Sequence, residues 1–296
     1  MSELIRGLMT RNFTKDYEYN KFGMLISANV VRLEWKDLDK NPGAAYASVK
    51  KAAQYGPVRL RVNGGTEAPV RIINDNDPFD YHEGSLGDTY LCPQWWNDNY
   101  IDEWAFMMLG LHDNVGEHVT EVAQSGGGTR WSEPFIRSVW SNKNTFNDIG
   151  FDFAVDERAL NMFYALMREI WAEKTLVVSV FSWQYMEDDR PKSSIDRSIE
   201  AIERWQPDLI GAHDLRENPG ASRLEHWDKM KATGIPLYFQ TAQPDSADKE
   251  YIGDWTKALD YGLEYGALNI ELPRTFNRWD YDTLGEYAWS YDPKVR

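Results

Sequence analysis

The chain has 296 residues, with 32 basic against 47 acidic side chains, a net charge of -15 and one cysteine. That balance argues against a phosphate-backbone partner, which needs clustered Lys and Arg, and the lone Cys92 rules out an intramolecular disulfide. No run reaches the ~20 apolar residues of a membrane span, and Met1 to Gly7 lacks a signal-peptide core, so a soluble protein with no encoded export is expected.

Short runs rich in β-branched residues alternate with stretches of helical period, the pattern of successive βα units around a parallel sheet. The strands expected in chain order are Ile5 to Thr10, Val30 to Trp35, Val58 to Asn63, Val119 to Ser125, Leu176 to Phe181, Leu209 to His213, Leu237 to Gln240 and Leu268 to Leu272. Eight such strands in one chain of this length predict an α/β fold: a single (β/α)8 TIM barrel domain over residues 1–296.

The helices expected between them are Ala44 to Tyr55, Asn97 to Val115, Asp156 to Glu173, Ser194 to Trp205, Ser222 to Ala232, Asp248 to Glu264 and Asp282 to Trp289, with a weaker one over Thr14 to Lys21. The third carries Leu160, Phe163, Tyr164, Met167, Ile170 and Trp171 at steps of three and four, with Asp156 as its expected N-cap. One long loop follows strand 3, from Gly64 to Gln94, dense in Gly, Asp, Asn and Pro. Loops of that length inside a domain are usually functional, and this one is expected to wall one side of a groove. Cys92, between Leu91 and Pro93, reads as a small buried apolar group rather than a nucleophile.

Glu133 lies just past strand 4 in Trp131-Ser132-Glu133-Pro134, and Glu271 closes strand 8 between Ile270 and Leu272. Catalytic groups of this fold gather at the C-terminal ends of the strands. Two carboxyl groups there are what hydrolysis of a glycosidic bond requires, one to protonate the leaving oxygen and one to attack or to activate water. Trp131 and Pro134 are expected to desolvate Glu133, raise its pKa and make it the acid. The bland alternative for Glu133 is a solvated glutamate at the start of the next helix, and for Glu271 a structural pair with Arg59 or Arg61. Glu34 and Asp214, also at strand ends, could replace Glu271 as the second carboxylate.

Thirteen tryptophans and sixteen tyrosines are many for this length. Trp35, Trp95, Trp96, Trp131 and Trp183 fall where strands end, and aromatic faces at a pocket mouth suit sugar rings. Trp35, Trp131 and Trp183 are therefore expected to bind substrate together with the polar strand-end residues Asn63, His213, Asp214 and Gln240; Gln184 could add a further hydrogen bond.

Competing chemistries lack their parts. The five histidines form no His-x-His or HExxH arrangement, so no metal is expected. Gly126 to Gly128 is followed by no Lys-Ser or Lys-Thr, and no Gly-x-Ser-x-Gly elbow exists, so no nucleotide cofactor and no elbow-type serine nucleophile is expected.

The order of these elements resembles the large clan of (β/α)8 glycoside hydrolases in which an Asn-Glu-Pro-type motif after strand 4 carries the acid/base, matched here by Ser132-Glu133-Pro134. That clan's nucleophilic glutamate ends strand 7, where this chain has Gln240, so Glu271 is assigned by position alone. Val58-Arg-Leu-Arg-Val62, Thr129-Arg-Trp-Ser-Glu-Pro-Phe-Ile136, Tyr238-Phe-Gln-Thr-Ala242 and Ile270-Glu-Leu-Pro273 further resemble a group of barrel proteins of actinobacteria and their phages. The resemblance implies a polysaccharide substrate, of a bacterial cell envelope, and a minor tail protein in a phage virion with other tail proteins as partners. It also admits, second to that reading, a tail module that keeps the barrel and binds glycan without cleaving it, and third a structural virion subunit.

Overall fold

The computed structural model describes residues 4–11, 22–83, 87–125, 128, 133–187, 190–242, 244–245, 249–250, 252–273 and 276–294. Eight parallel strands close into one barrel: β1 (Gly7–Thr10), β2 (Ile26–Glu34), β3 (Val58–Asn63), β4 (Glu121–Ala123), β5 (Thr175–Ser179), β6 (Leu209–Leu215), β7 (Leu237–Thr241) and β8 (Asn269–Glu271). Each pairs with its neighbours in chain order, and β1 pairs with β8 to complete the ring. All eight expected strands are present, and the third matches at both ends.

Ten helices are present among the described residues: α1 (Trp35–Lys40), α2 (Pro42–Ala53), α3 (Val70–Asn74), α4 (Asp98–Val115), α5 (Val139–Asp148), α6 (Phe153–Ile170), α7 (Ile195–Trp205), α8 (Ala221–Ala232), α9 (Trp255–Glu264) and α10 (Tyr281–Tyr291). Local chemistry sets several starts. Asn41 accepts from the Ala44 amide with Pro42 in the first turn, and Ser194, Asp254 and Asp280 cap α7, α9 and α10. The cap of α6 is Asp152, not Asp156, which sits buried inside the helix. The expected first helix, Thr14 to Lys21, lies outside the described residues. The loop after β3 holds α3 and an antiparallel hairpin, Phe79–His82 with Thr89–Cys92, and a second hairpin pairs Trp183–Glu187 with Arg190–Ser194. Cys92 is buried, as expected, and burial pushes its thiol up.

Alternation along the strands divides two environments. Leu60, Val62, Val122, Leu176, Val178, Ile210, Phe239 and Ile270 face the helices in the main apolar core. Small apolar clusters fill part of the barrel interior, one of Ile5, Met9, Ala28 and Val30 and one of Val177, Leu209 and Tyr238. Other interior positions are polar or charged. Arg59 on β3 reaches across the barrel, donating to Glu121 at 2.8 Å, to Glu271 at 2.7 Å and to Asn269 at 3.0 Å, and all four residues are fully buried. Strands β3 and β8 are not neighbours, so these bonds span the lumen and fix opposite walls to each other. Burying charge is tolerable only when it is paired and hydrogen-bonded in this way.

Candidate active site

Glu133 follows β4 on a segment that the structure pins from behind. Gln184, on the hairpin after β5, accepts the backbone N–H groups of Arg137 at 2.9 Å and Ser138 at 2.7 Å, and its own backbone N–H donates to the Phe135 carbonyl at 3.0 Å. Phe135 packs against the Trp183 and Trp205 rings, and Arg137, fully buried, donates to Asp156 at 2.8 Å. This framework sets where the Glu133 carboxylate stands.

His213 Nδ1, from β6, lies 2.8 Å from Glu133 Oε1. On the other side of the ring, His213 Nε2 is 3.0 Å from Ser179 Oγ of β5, and Ser179 Oγ is 2.7 Å from the Tyr238 hydroxyl of β7. Burial pushes the Tyr238 phenol up, so it keeps its proton, and Ser179 is its sole hydrogen-bond partner among the described residues. One arrangement satisfies every group: Tyr238 donates to Ser179, Ser179 donates to Nε2, and Nδ1–H donates to Glu133.

Glu271 ends β8 and is fully buried. Its Oε1 accepts from Arg59 at 2.7 Å and from Arg61 at 2.5 Å, while Arg61 also donates to Gln240 Oε1 at 2.7 Å. Burial pushes the Glu271 carboxyl up, but Arg61 and Arg59 outweigh it and hold the group down at about 2. Burial likewise pushes Glu133 up, as its setting beside Pro134 suggested, yet His213 and Arg61 overcome this and keep it below the usual carboxylate range. The expected raised acid is therefore corrected: at rest both carboxyls are ionised. Both feel the same two groups, Arg61 and His213, so the two acids look onto one cluster. Among the described residues, the buried Oε2 of each has no hydrogen-bond partner, and neither do the two amide atoms of Gln124 just past β4. Unpaired buried polar atoms of this kind call for water or ligand.

His213 and Gln240 thus join Glu133 and Glu271 in the cluster, and Asn63 is buried at the end of β3. Asp214 stands beside His213 with its backbone in the left-handed region, φ 73°, and pairs with Arg216 and Arg223. Two tryptophans do not line a groove. Trp35 is 2% exposed and packs edge-on against Tyr100 and Trp104, because it opens α1 and turns under α4. Trp183 is fully buried, and its indole N–H donates to Asp156 at 2.9 Å. Trp95 and Trp96 fill an aromatic cluster with Phe79 and Phe151. Trp131 lies outside the described residues. Glu34 sits apart, partnered by Arg32 and Lys36. Sequence reasoning missed Ser179 and Tyr238 as partners of the site, and no local pattern marks them. Arg59 and Arg61 were visible as charges at period two in a strand that must be buried on both faces.

A cavity of about 490 Å3 opens beside this cluster on the C-terminal side of β5 and β6, with Phe181, Ser182, His213, Asp214, Arg223 and His226 among its walls.

Solved structures share the architecture. An AHE enzyme from Alicyclobacillus herbarius superposes with a TM-score of 0.53 at 12% identity, over 88% of this chain and 76% of that one. The β-glucosidase from Thermotoga maritima in complex with castanospermine gives 0.50 at 12% identity over 94% and 85%, and the same enzyme with azafagomine gives 0.50 at 11% over 94% and 85%. The fold is a (β/α)8 barrel. At such identities the likeness extends to fold alone, and no family model and no curated protein matches the chain. Among the described residues, no group of acidic, histidine or cysteine side chains could hold a metal ion, and no helix is long and apolar enough to cross a membrane.

Proposed function

We propose that the protein is a glycoside hydrolase-like barrel acting on a polysaccharide, of a bacterial cell envelope, with Glu133 as the carboxyl group that handles the proton at the glycosidic oxygen. The observation that carries this reading is the pair of carboxylates that follow the C-terminal ends of β4 and β8, each held through one oxygen and, among the described residues, without a hydrogen-bond partner at the other. Glycoside hydrolysis needs one of two such groups protonated when the bond breaks. Glu271 touches two guanidinium groups directly and stays ionised, suited to stabilising positive charge at the anomeric carbon. Glu133 touches one imidazole, so it is the member of the pair that can take up the proton. Reducing-sugar release from cell-wall glycans should fall about 10²- to 10⁴-fold in Glu133→Gln, the usual contribution of a general acid or base. Undiminished turnover would remove Glu133 from the mechanism.

A specific feature favours a second reading, glycan binding without cleavage. The guanidinium clamp leaves Glu271 a poor nucleophile, and the residue beside it on β7 is an amide, Gln240. Sugar binding with no product after long incubation would select that reading. The setting in a phage tail, with other tail proteins as partners, rests on the sequence resemblance, and its test is mass spectrometry of purified virions.

A further inference from the structure

We propose that Ser179 and Tyr238 are positioning residues for the proton of Glu133: they hold His213 in the tautomer with hydrogen on Nδ1, and so confine the proton that Glu133 takes up to Oε2. This rests on the reading of Glu133 as the carboxyl group that serves the glycosidic oxygen, and it adds how that group is set.

The row crosses three adjacent strands. Tyr238 on β7 meets Ser179 on β5 at 2.7 Å, Ser179 meets His213 Nε2 on β6 at 3.0 Å, and His213 Nδ1 meets Glu133 at 2.8 Å. Its rings are held from the side. The Tyr238 ring has the Arg59 guanidinium over it at 4.2 Å and Gly211 beside it, where a Cβ would come within 1.9 Å of the ring. A glycine inside a strand gives room for such an approach. Phe181 stands edge-on to the His213 imidazole at 5.1 Å.

Counting hydrogens fixes the direction of the row. Tyr238 has no acceptor but Ser179 among the described residues, so its O–H points at Ser179 Oγ. Ser179 is buried, and the one acceptor left for its own hydrogen among those residues is His213 Nε2. The opposite tautomer, with hydrogen on Nε2, would aim two donors at Ser179 Oγ and leave the serine hydrogen with no acceptor. A buried group left unpaired in that way bears its full desolvation penalty. Nε2 is therefore bare, and Nδ1 carries the hydrogen.

That choice decides which carboxyl oxygen is protonated. Nδ1–H occupies Oε1, and in a protonated carboxyl group the carbonyl oxygen is the better acceptor, so the proton goes to the other oxygen. This is Oε2, which is buried and has no hydrogen-bond partner among the described residues. With the row reversed, a bare Nδ1 would draw the proton onto Oε1 and keep it between carboxyl and imidazole. Donation from Oε2 to a leaving oxygen returns Glu133 to its resting carboxylate and moves no hydrogen of the row.

The test is the tautomer of His213 in the full chain, read from long-range ¹H–¹⁵N correlations at neutral pH and assigned by the signals lost in His213→Phe. The wild type should show hydrogen on Nδ1 and a bare Nε2. Ser179→Ala should mix the two tautomers, Ser179→Thr should restore the first, and Tyr238→Phe, which keeps the ring beside Arg59, should mix them by freeing the serine hydroxyl. Release of reducing sugar from cell-wall glycans should fall about tenfold in kcat at unchanged KM in Ser179→Ala, the scale of one hydrogen bond, and recover in Ser179→Thr. Hydrogen on Nε2 in the wild type, or an unmixed tautomer in Tyr238→Phe, would overturn the proposal even if Ser179→Ala failed to fold. Unchanged turnover in a folded Ser179→Ala whose tautomers mix would overturn it as well. The expected tautomers in a protein that cleaves no glycan would sink the hydrolase reading and leave the row as assigned. Cleavage by a wild type with hydrogen on Nε2 would do the reverse.

Discussion

His213 Nδ1 and Glu133 Oε1 stand 2.8 Å apart, joining β6 to the segment that follows β4. The contact opposes the effect of burial on Glu133 and holds its carboxyl below the usual range. Replacing His213 by Phe keeps a ring against Phe181 and removes the donor. The Glu133 titration, followed by carboxyl ¹³C resonances, should then move to higher pH. A folded-state carboxyl pKa that is depressed stabilises the protein above its unfolded pKa and ceases to do so as pH falls. The variant should therefore lose stability at neutral pH and lose less than the wild type on acidification. An unmoved resonance would mean that Arg61 alone holds Glu133 ionised.

Glu271 sets a second pH dependence. Held at about 2 against an ordinary 4.5, it contributes stability that is fully present above pH 4.5 and is lost as pH falls toward 2. The shift corresponds to an upper bound of roughly 3 kcal/mol. Urea denaturation of wild type and Glu271→Gln should show a stability difference that shrinks by that order between pH 5 and pH 2.5. A difference constant over this window would contradict the assigned ion pairs.

Arg59 has more to lose than Glu271. Arg59→Met strips Glu121 of its guanidinium partner and Glu271 of one of two, all inside the lumen. Removing one partner of a buried pair costs about 3–5 kcal/mol, which denaturation at neutral pH would measure.

Trp183→Phe separates packing from ligand contact. It removes the indole donor to buried Asp156 and should cost about 1–3 kcal/mol. Glycan affinity, measured on the folded variant, should stay unchanged. A large affinity loss at unchanged stability would return Trp183 to the groove.

Gly211 tests the hydrogen-bonded row from Glu133 to Tyr238. A Cβ there would meet the Tyr238 ring at 1.9 Å, so Gly211→Ala must displace the ring and with it the bond to Ser179. Overpacking of this kind costs about 1–3 kcal/mol or more. Stability and the near-ultraviolet dichroism of the tyrosines should both change.

The barrel was legible because parallel strands covered on both faces read as apolar runs, and α4, α7 and α8 start within one residue of their expected positions. Helix α5 was not. Its first turns carry Ser141, Asn142, Lys143 and Asn144, and its N-cap, Ser138, sits at φ 48° without making a capping bond. At the site, the sequence marked the positions of Glu133, Glu271, His213 and Gln240 but not their mutual contacts. Arg59 and Glu271 are 212 positions apart, a relationship that only the closed ring creates. Trp35 and Trp183 failed for a local reason. A strand-end indole turns to the mouth or inward according to the element that its own residue opens. Trp35 begins a helix and Trp183 begins a hairpin, and both fold the ring inward.

Arg59, Arg61, Glu121 and Glu271 form a balanced quartet buried in the lumen. Exchange of any one for a neutral residue strands an opposite charge in the lumen, so descent with gradual change has no easy route through this part of the molecule. In related barrels these four positions should vary together or stay fixed, while the loops above them diverge freely.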